Sequence, residues 1–367
     1  LRILKYIFIW VLLSIPFVIP SLMVWLILGE KLAVTGVKFE HLIAIPAILS
    51  ASLLLFFYLM SSRILLKWYG AREVKDGDIL EIFERVAKES DVAAKLYVVE
   101  SEMPNAYYAG NSKKGFIVIT TSLIKLLDDG ELEAVMNNQF VHLRNRESMI
   151  YTIGATISGL VVSLSTAAYW CSLLTGFGLE DDPAPNLIKL FVMSLVAPLA
   201  SFLSLPIFSG KKEFNFDVES ISSVEDENKL ISAMEKINSS LNSGNYEINP
   251  AHSILFFANP LKDDYVNILD FNLPTYLSIL NLKPSVARRI CEIQGVKPES
   301  SGGSLIKPIF YSLISHFFVL FGIIAFDTFN NKDFVFERAA LISVVFLGWV
   351  TIFFSILILL LRFRRRF

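Results

Sequence analysis

The sequence predicts a mainly helical membrane protein, with six spanning helices and a polar α+β part divided between two loops. Three observations predict it. Hydrophobic residues make up 54% of the 367 positions and charged residues only 19%, where soluble chains carry about 25% charged residues. Six apolar runs reach or approach the roughly 20 residues that a helix needs to cross a bilayer core. When those runs are counted as spans, their basic flanks all fall on one side.

The runs occupy residues 7–28, 42–60, 150–174, 187–208, 306–326 and 339–361. The first is too long for a signal-peptide core, and a second follows it closely. The third carries Gly154, Ala155, Ser158 and Gly159, small residues that allow close helix contact. Pro198 and Pro206 interrupt the fourth, so a buried or half-inserted hairpin is the other reading of runs three and four.

The orientation follows from charge. Arg2 and Lys5 precede the first run, and Arg63, Lys67, Arg72 and Lys75 follow the second. Arg144 and Arg146 precede the third, Lys211 and Lys212 follow the fourth, and Arg362, Arg364, Arg365 and Arg366 follow the sixth. The loop at 175–186 has no Lys or Arg and holds Glu180, Asp181 and Asp182. Both termini and both polar segments are therefore expected on the cytoplasmic side. The expected organisation is two spans in 1–66, a polar part in 67–149, a hairpin in 150–208, a second polar part in 209–305, and two spans with a basic tail in 306–367.

A net charge of -2 gives no signal for nucleic acid. Cys171 and Cys291 lie in unlike contexts and read as free thiols, with no disulfide framework and no cysteine zinc site.

In the first polar segment, Ile79, Ile82, Phe83 and Val86 recur at helical spacing after a capping Asp78. Strands are expected at 96–99, 105–110 and 116–121, the last two joined by a turn through Gly110, Asn111 and Lys113. A short helix at 122–127 and a longer one at 131–147 follow. The second polar segment is expected to be helical over 212–238, looped over 239–249, loosely helical at 252–257 and helical again at 284–294. Glu299 to Ser304 reads as a linker.

The stretches Pro104-Asn-Ala-Tyr, Ile119-Thr-Thr-Ser-Leu, Leu127-Asp-Asp-Gly-Glu-Leu-Glu-Ala-Val and His142-Leu-Arg-Asn-Arg together resemble the HtpX-like membrane zinc metalloproteases, relatives of the CAAX prenyl proteases. The likeness covers about residues 1–294. It implies a gluzincin-like α+β domain, zinc, and polypeptide substrates drawn from unfolded or membrane proteins in protein quality control. In that family one helix carries His-Glu-x-x-His, and a second, after a membrane hairpin, carries Glu-aromatic-x-x-Asp. Positions i and i+4 share a helix face. Two histidines there and a glutamate from another helix make a three-ligand zinc site with a place left for water. The glutamate beside the first histidine takes the proton from that water.

Carried onto this chain, the resemblance places metal ligands at Asn138, His142 and Glu213, the general base at Gln139, and an orienting carboxylate at Asp217 behind the ligands. Asn138 and Gln139 depart from the pattern. A neutral amide oxygen is a poor zinc ligand, and a carboxamide has no lone pair basic enough to deprotonate water. Loss of the base alone costs about 10²–10⁴ in rate. The resemblance therefore implies a catalytically silent or strongly impaired homologue, a pseudoprotease in the sense of lost turnover. Zinc occupancy is in doubt with one histidine missing. Val141 stands where the family has a small residue, Lys283-Pro284 where it often has His-Pro, and Lys212 where it has Arg before the Glu. These extra departures favour natural divergence over engineered inactivation.

Other readings remain open. The chain is otherwise an inactivated copy of an active parent, an active endopeptidase with an atypical ligand set, or a six-span transporter. The last would require paired charges inside several spans, and only His316 lies mid-span. His142 taken alone reads as a helix histidine with a local hydrogen bond. His252 and His316 are candidates for a replacement ligand. Asn105, Ala106 and Tyr107 read either as an ordinary strand or as an edge that binds extended substrate through its main chain.

Overall fold

A computed structural model describes residues 3–11, 13–14, 18, 21, 38–174, 210–222, 227–244, 246, 248–260 and 283–296. The expected runs at 187–208, 306–326 and 339–361, and His316, lie outside those residues; the run at 7–28 is described only in part.

Among the described residues, two helices are long and apolar enough to cross a membrane, Ile43–Trp68 and Ser148–Ala168. The first lies in α1 (Phe39–Trp68). Ile45, Ile48, Leu55 and Leu59 stand exposed along it, a surface suited to hydrocarbon rather than water. The second lies in α5 (Ser148–Leu174). Its first half is largely buried inside the protein, through Ile150, Tyr151, Ile153, Ala155 and Ile157, and its far end exposes Leu164, Trp170 and Leu174. The third run is thus half core helix and half apolar surface helix. Gly159 lets it approach the polar part closely: a Cβ there would sit 2.0 Å from His252 Nε2.

Between these helices lies a four-stranded sheet of order β1-β2-β4-β3. Its strands are β1 (Arg72–Glu73), β2 (Ala94–Val99), β3 (Ala106–Asn111) and β4 (Lys114–Thr120). β2 and β4 run parallel, and both outer pairs are antiparallel. The sequence expectation has three strands; β1 is the addition, and two residues are too few for alternation to reveal. β3 and β4 turn through Gly110, at φ 101°, where a Cβ would sit 2.3 Å from the Lys114 carbonyl oxygen. Only glycine fits that turn.

Helix α2 (Asp78–Ser90) buries Ile82, Phe83 and Val86, on the periodicity expected. The short α3 (Thr121–Leu126) leads to α4 (Asp129–Arg144), which packs on β3, β4, α2, α6 (Gly210–Ile221) and α7 (Glu227–Ser243). α4 starts earlier than expected because Asp128 and Glu131 form a capping box. The single helix expected over 212–238 is described as two, α6 ending at Ile221 and α7 starting at Glu227. The loose helix expected at 252–257 is a 3-10 turn over Pro250–Ile254, followed by a bridge from Phe256 to Tyr107. The last described helix is α8 (Val286–Ile293).

Glu131 ties α4 to α7. Its carboxylate accepts from Ser232 Oγ at 2.6 Å and Lys236 Nζ at 2.8 Å, and from the Asp128 amide at 3.0 Å. Burial raises its pKa, but the Lys236, Ser232 and Asp128 donors outweigh burial and hold it below the usual carboxylate range. A depressed folded pKa stabilises the fold above the unfolded value of about 4.3, and that contribution disappears as pH falls through the folded value. Glu131→Gln is therefore expected to cost about 1–3 kcal/mol near neutrality. It should also flatten the loss of stability below about pH 4. Melting temperature measured against pH checks both.

Candidate functional site

The site forms where α4, α6 and α8 meet beneath β3. On α4, Asn138 and His142 share one face at i and i+4, with Gln139 beside them; all three are buried. α6 brings Glu213 and Asp217, also i and i+4 and buried, to the same place. The two helices are joined by Asn137 Nδ2 donating to the Ser220 carbonyl at 2.9 Å and by an Arg144–Glu219 ion pair. His142 Nε2 lies 3.5 Å from Glu213 Oε1. Tyr108 of β3 stacks on the imidazole at 4.9 Å between ring centroids, and Phe216 meets it edge-on at 4.7 Å. The ring is thus fixed by packing.

The amides bind each other and the carboxylate behind them. Asn138 Nδ2 donates to Asp217 Oδ1 at 3.1 Å, and Gln139 Nε2 donates to Asn138 Oδ1 at 3.2 Å. Asn138 therefore spends its amide on the network. Among the described residues, Gln139 Oε1 and both His142 ring nitrogens have no hydrogen-bond partner.

Two cations that sequence reasoning did not place complete the site. Arg289 of α8, fully buried, donates to Asp217 from Nε at 2.8 Å and from a terminal nitrogen at 2.6 Å, and also to the Phe257 carbonyl. This bidentate pair is the strongest charged contact geometry available to a guanidinium. Lys283, 3% exposed, has its Nζ 2.6 Å from Glu213 Oε1 and donates to the Phe256 carbonyl. Burial pushes the Glu213 carboxyl up, but Lys283, then His142 and Arg289, outweigh it and hold the group well below the usual carboxylate range.

The residues present do not fit a zinc ion. Zinc sites need three or four nitrogen, sulfur or carboxylate ligands, and among the described residues no group of three or more His, Cys, Asp and Glu is arranged to hold a metal. The His142–Glu213 pair supplies two donors, and the carboxylate already bears an ammonium. A dication within about 4 Å of an ammonium is repelled by about 8 kcal/mol at an effective dielectric of about 20. That is comparable with much of the roughly 10–16 kcal/mol that a full structural zinc site gains.

His252 is engaged elsewhere. Its Nδ1 lies 2.7 Å from the Tyr69 hydroxyl, and Trp68 packs edge-on against its ring. Burial pushes its pKa down to about 3, so it is a neutral core histidine. Asn105, Ala106 and Tyr107 are buried on the outer edge of the sheet, and that edge is covered. The Phe257 amide donates to the Ala106 carbonyl at 2.6 Å, and Asn105 exchanges side-chain hydrogen bonds with both backbone groups of Ala258. Of the two readings of this stretch, the strand does lie at the sheet's edge, but chain from this same molecule takes the place of an added peptide.

Residues 73–297 match the model of Peptidase family M48. A "Protease HtpX homolog" of Desulfatibacillum aliphaticivorans is 28% identical over 261 residues, 70% of this chain and 81% of that protein. A protein of the same description from Pyrococcus furiosus is 30% identical over 239 residues, 62% of this chain and 81% of its own length. A third, from Thermococcus sibiricus, is 28% identical over 279 residues, 74% of this chain and 91% of its own.

Proposed function

Since the chain belongs to peptidase family M48, among its HtpX-like members, we propose that it is a membrane-anchored homologue that holds polypeptide without cleaving it. The observation that carries this reading is the buried carboxamide of Gln139 at the general-base position, hydrogen-bonded to Asn138. A carboxamide cannot take a proton from water at neutral pH. The missing imidazole at Asn138 and the ammonium of Lys283 argue the same way.

The names of the relatives make polypeptide the class of ligand, and unfolded or membrane-protein segments are the proposed members of it. In this reading six helices cross the membrane and the α+β part lies on the cytoplasmic side, as the basic flanks suggest. An extended segment adding to β3 beside Asn105, Ala106 and Tyr107 would first displace residues 256–258. A second reading, an endopeptidase with an atypical ligand set, draws on His142 Nδ1, which has no hydrogen-bond partner among the described residues and leaves the pocket able to accept a polar group.

The test incubates the full-length protein, in detergent and in vesicles, with casein and with an unfolded membrane-protein fragment. Retention of the polypeptide without new fragments is expected. Cleavage that a zinc chelator abolishes would refute the proposal and establish the second reading.

A further inference from the structure

Of the two cations in the pocket, Arg289 is bound to Asp217 and Lys283 lies on Glu213. Lys283 stands just before α8, with Pro284 after it. Its ammonium approaches Glu213 Oε1 at 2.6 Å, and His142 Nε2 approaches the same oxygen at 3.5 Å. Lysine and glutamate are both almost fully buried, a placement that charged residues adopt only when paired. The ammonium also donates to the Phe256 carbonyl. The next residue, Phe257, bonds to Ala106 on the edge of β3. One side chain therefore joins α6, the segment over the sheet edge and the start of α8.

These are the two tasks that a metal ion performs at the meeting point of helices: it balances buried negative charge and it ties separate segments together. We propose that the Lys283 ammonium is the resident cation on Glu213, standing in for a divalent metal and making the fold independent of one. The same contact holds the Phe256–Ala258 segment against β3. The edge of the sheet is therefore closed by the group that replaces the metal. Removing the charge from Lys283 should both leave the Glu213 carboxylate with only the longer contacts to His142 at 3.5 Å and Arg289 at 3.9 Å and loosen that segment.

A charge pair that holds the pocket shows in stability rather than in turnover. Cleavage of polypeptide by the wild type would end the functional proposal above and leave the coupling between Lys283 and Glu213 to be judged separately.

Thermal unfolding of the full-length protein in detergent supplies the measurement, with Lys283→Met, Glu213→Gln and the pair together. Methionine keeps the length of the stem and removes the charge. Lys283→Met alone is expected to lower the melting temperature by about 10 °C, because the buried carboxylate loses its nearest cation. The double variant should recover at least about half of that loss, because neither charge then remains. Amide exchange at Phe257 should rise in Lys283→Met and stay raised in the double variant, which still lacks the ammonium that binds the Phe256 carbonyl. The wild-type melting temperature should not move with a chelator. Additive effects of the two substitutions would overturn the proposal, and so would a wild-type melting temperature that falls on chelation. If Lys283→Met does not fold, a folded double variant supports the pairing, and a double variant that also fails overturns it.

Discussion

Asp217→Ala is expected to destabilise the protein by about 3–5 kcal/mol, enough to unfold many domains of this size. The carboxylate it removes holds Arg289, which is fully buried and donates two short hydrogen bonds to it. The guanidinium also lies over the Phe257 ring at 5.1 Å. The other negative charge near it is the Glu213 carboxylate, with Oε1 at 3.9 Å from a terminal guanidinium nitrogen, a longer contact that Lys283 shares. Burial works against a charged Arg289, and the Asp217 carboxylate, with a smaller contribution from Glu213, outweighs it. Asp217→Asn keeps the shape and should cost less; Asp217→Ala with Arg289→Met, which removes both charges, should recover much of the loss. Melting temperatures of the three variants in one detergent check the order. Asp217→Ala matching the wild type would show that the pair contributes nothing.

Restoring the motif is expected to give the largest gain in activity. Asn138→His and Gln139→Glu return an imidazole and a base, and the base alone is worth about 10²–10⁴ in rate. The double variant should still hold little zinc, because the ammonium of Lys283 remains 2.6 Å from the carboxylate that would bind the ion. Adding Lys283→His removes that charge and places at 283 the residue the resemblance favours. The triple variant should therefore bind zinc and cleave casein in a chelator-sensitive way, at least about tenfold faster than the double. Equal zinc content and equal cleavage in double and triple variants would show that Lys283 is no obstacle.

Much of this was legible in the sequence because periodicity and motif spacing report local structure. Ile82, Phe83 and Val86 mark the buried face of α2. Gly110 marks the turn between β3 and β4, where the backbone demands glycine. The i and i+4 pairs Asn138/His142 and Glu213/Asp217 put four side chains on two facing helices, and the structure brings them together. What was not legible depends on chain that is distant in sequence. Lys283 reaches Glu213 across 70 positions, and spacing carries no sign of such a contact. Its signal was the departure from His-Pro, which says that something changed without saying what the new side chain meets. Arg289 had a sharper signal. It stands among Val286, Ile290 and Ile293 on a strongly amphipathic helix, and a charge on an apolar face calls for a buried partner. The covering of β3 by residues 256–258 was hidden for another reason. A sheet edge looks the same in sequence whether a substrate or the chain's own backbone pairs with it.

The half-buried third run has a physical explanation too. Hydropathy alone cannot separate a helix wrapped by protein from one wrapped by lipid. In α5 the division falls along its length, with Thr152 donating to the Ser148 carbonyl and receiving the Gly110 amide at 2.9 Å in the buried half, and Trp170 and Leu174 exposed beyond.

The central claim is that this pocket carries its own positive charge and leaves no place for a catalytic ion. Metal analysis of the full-length wild type, purified in detergent from zinc-supplemented cells without chelator, tests it most directly. The account predicts zinc far below one per chain, unchanged by dialysis against a chelator. About one zinc per chain, lost on chelation together with a fall in melting temperature, would contradict it.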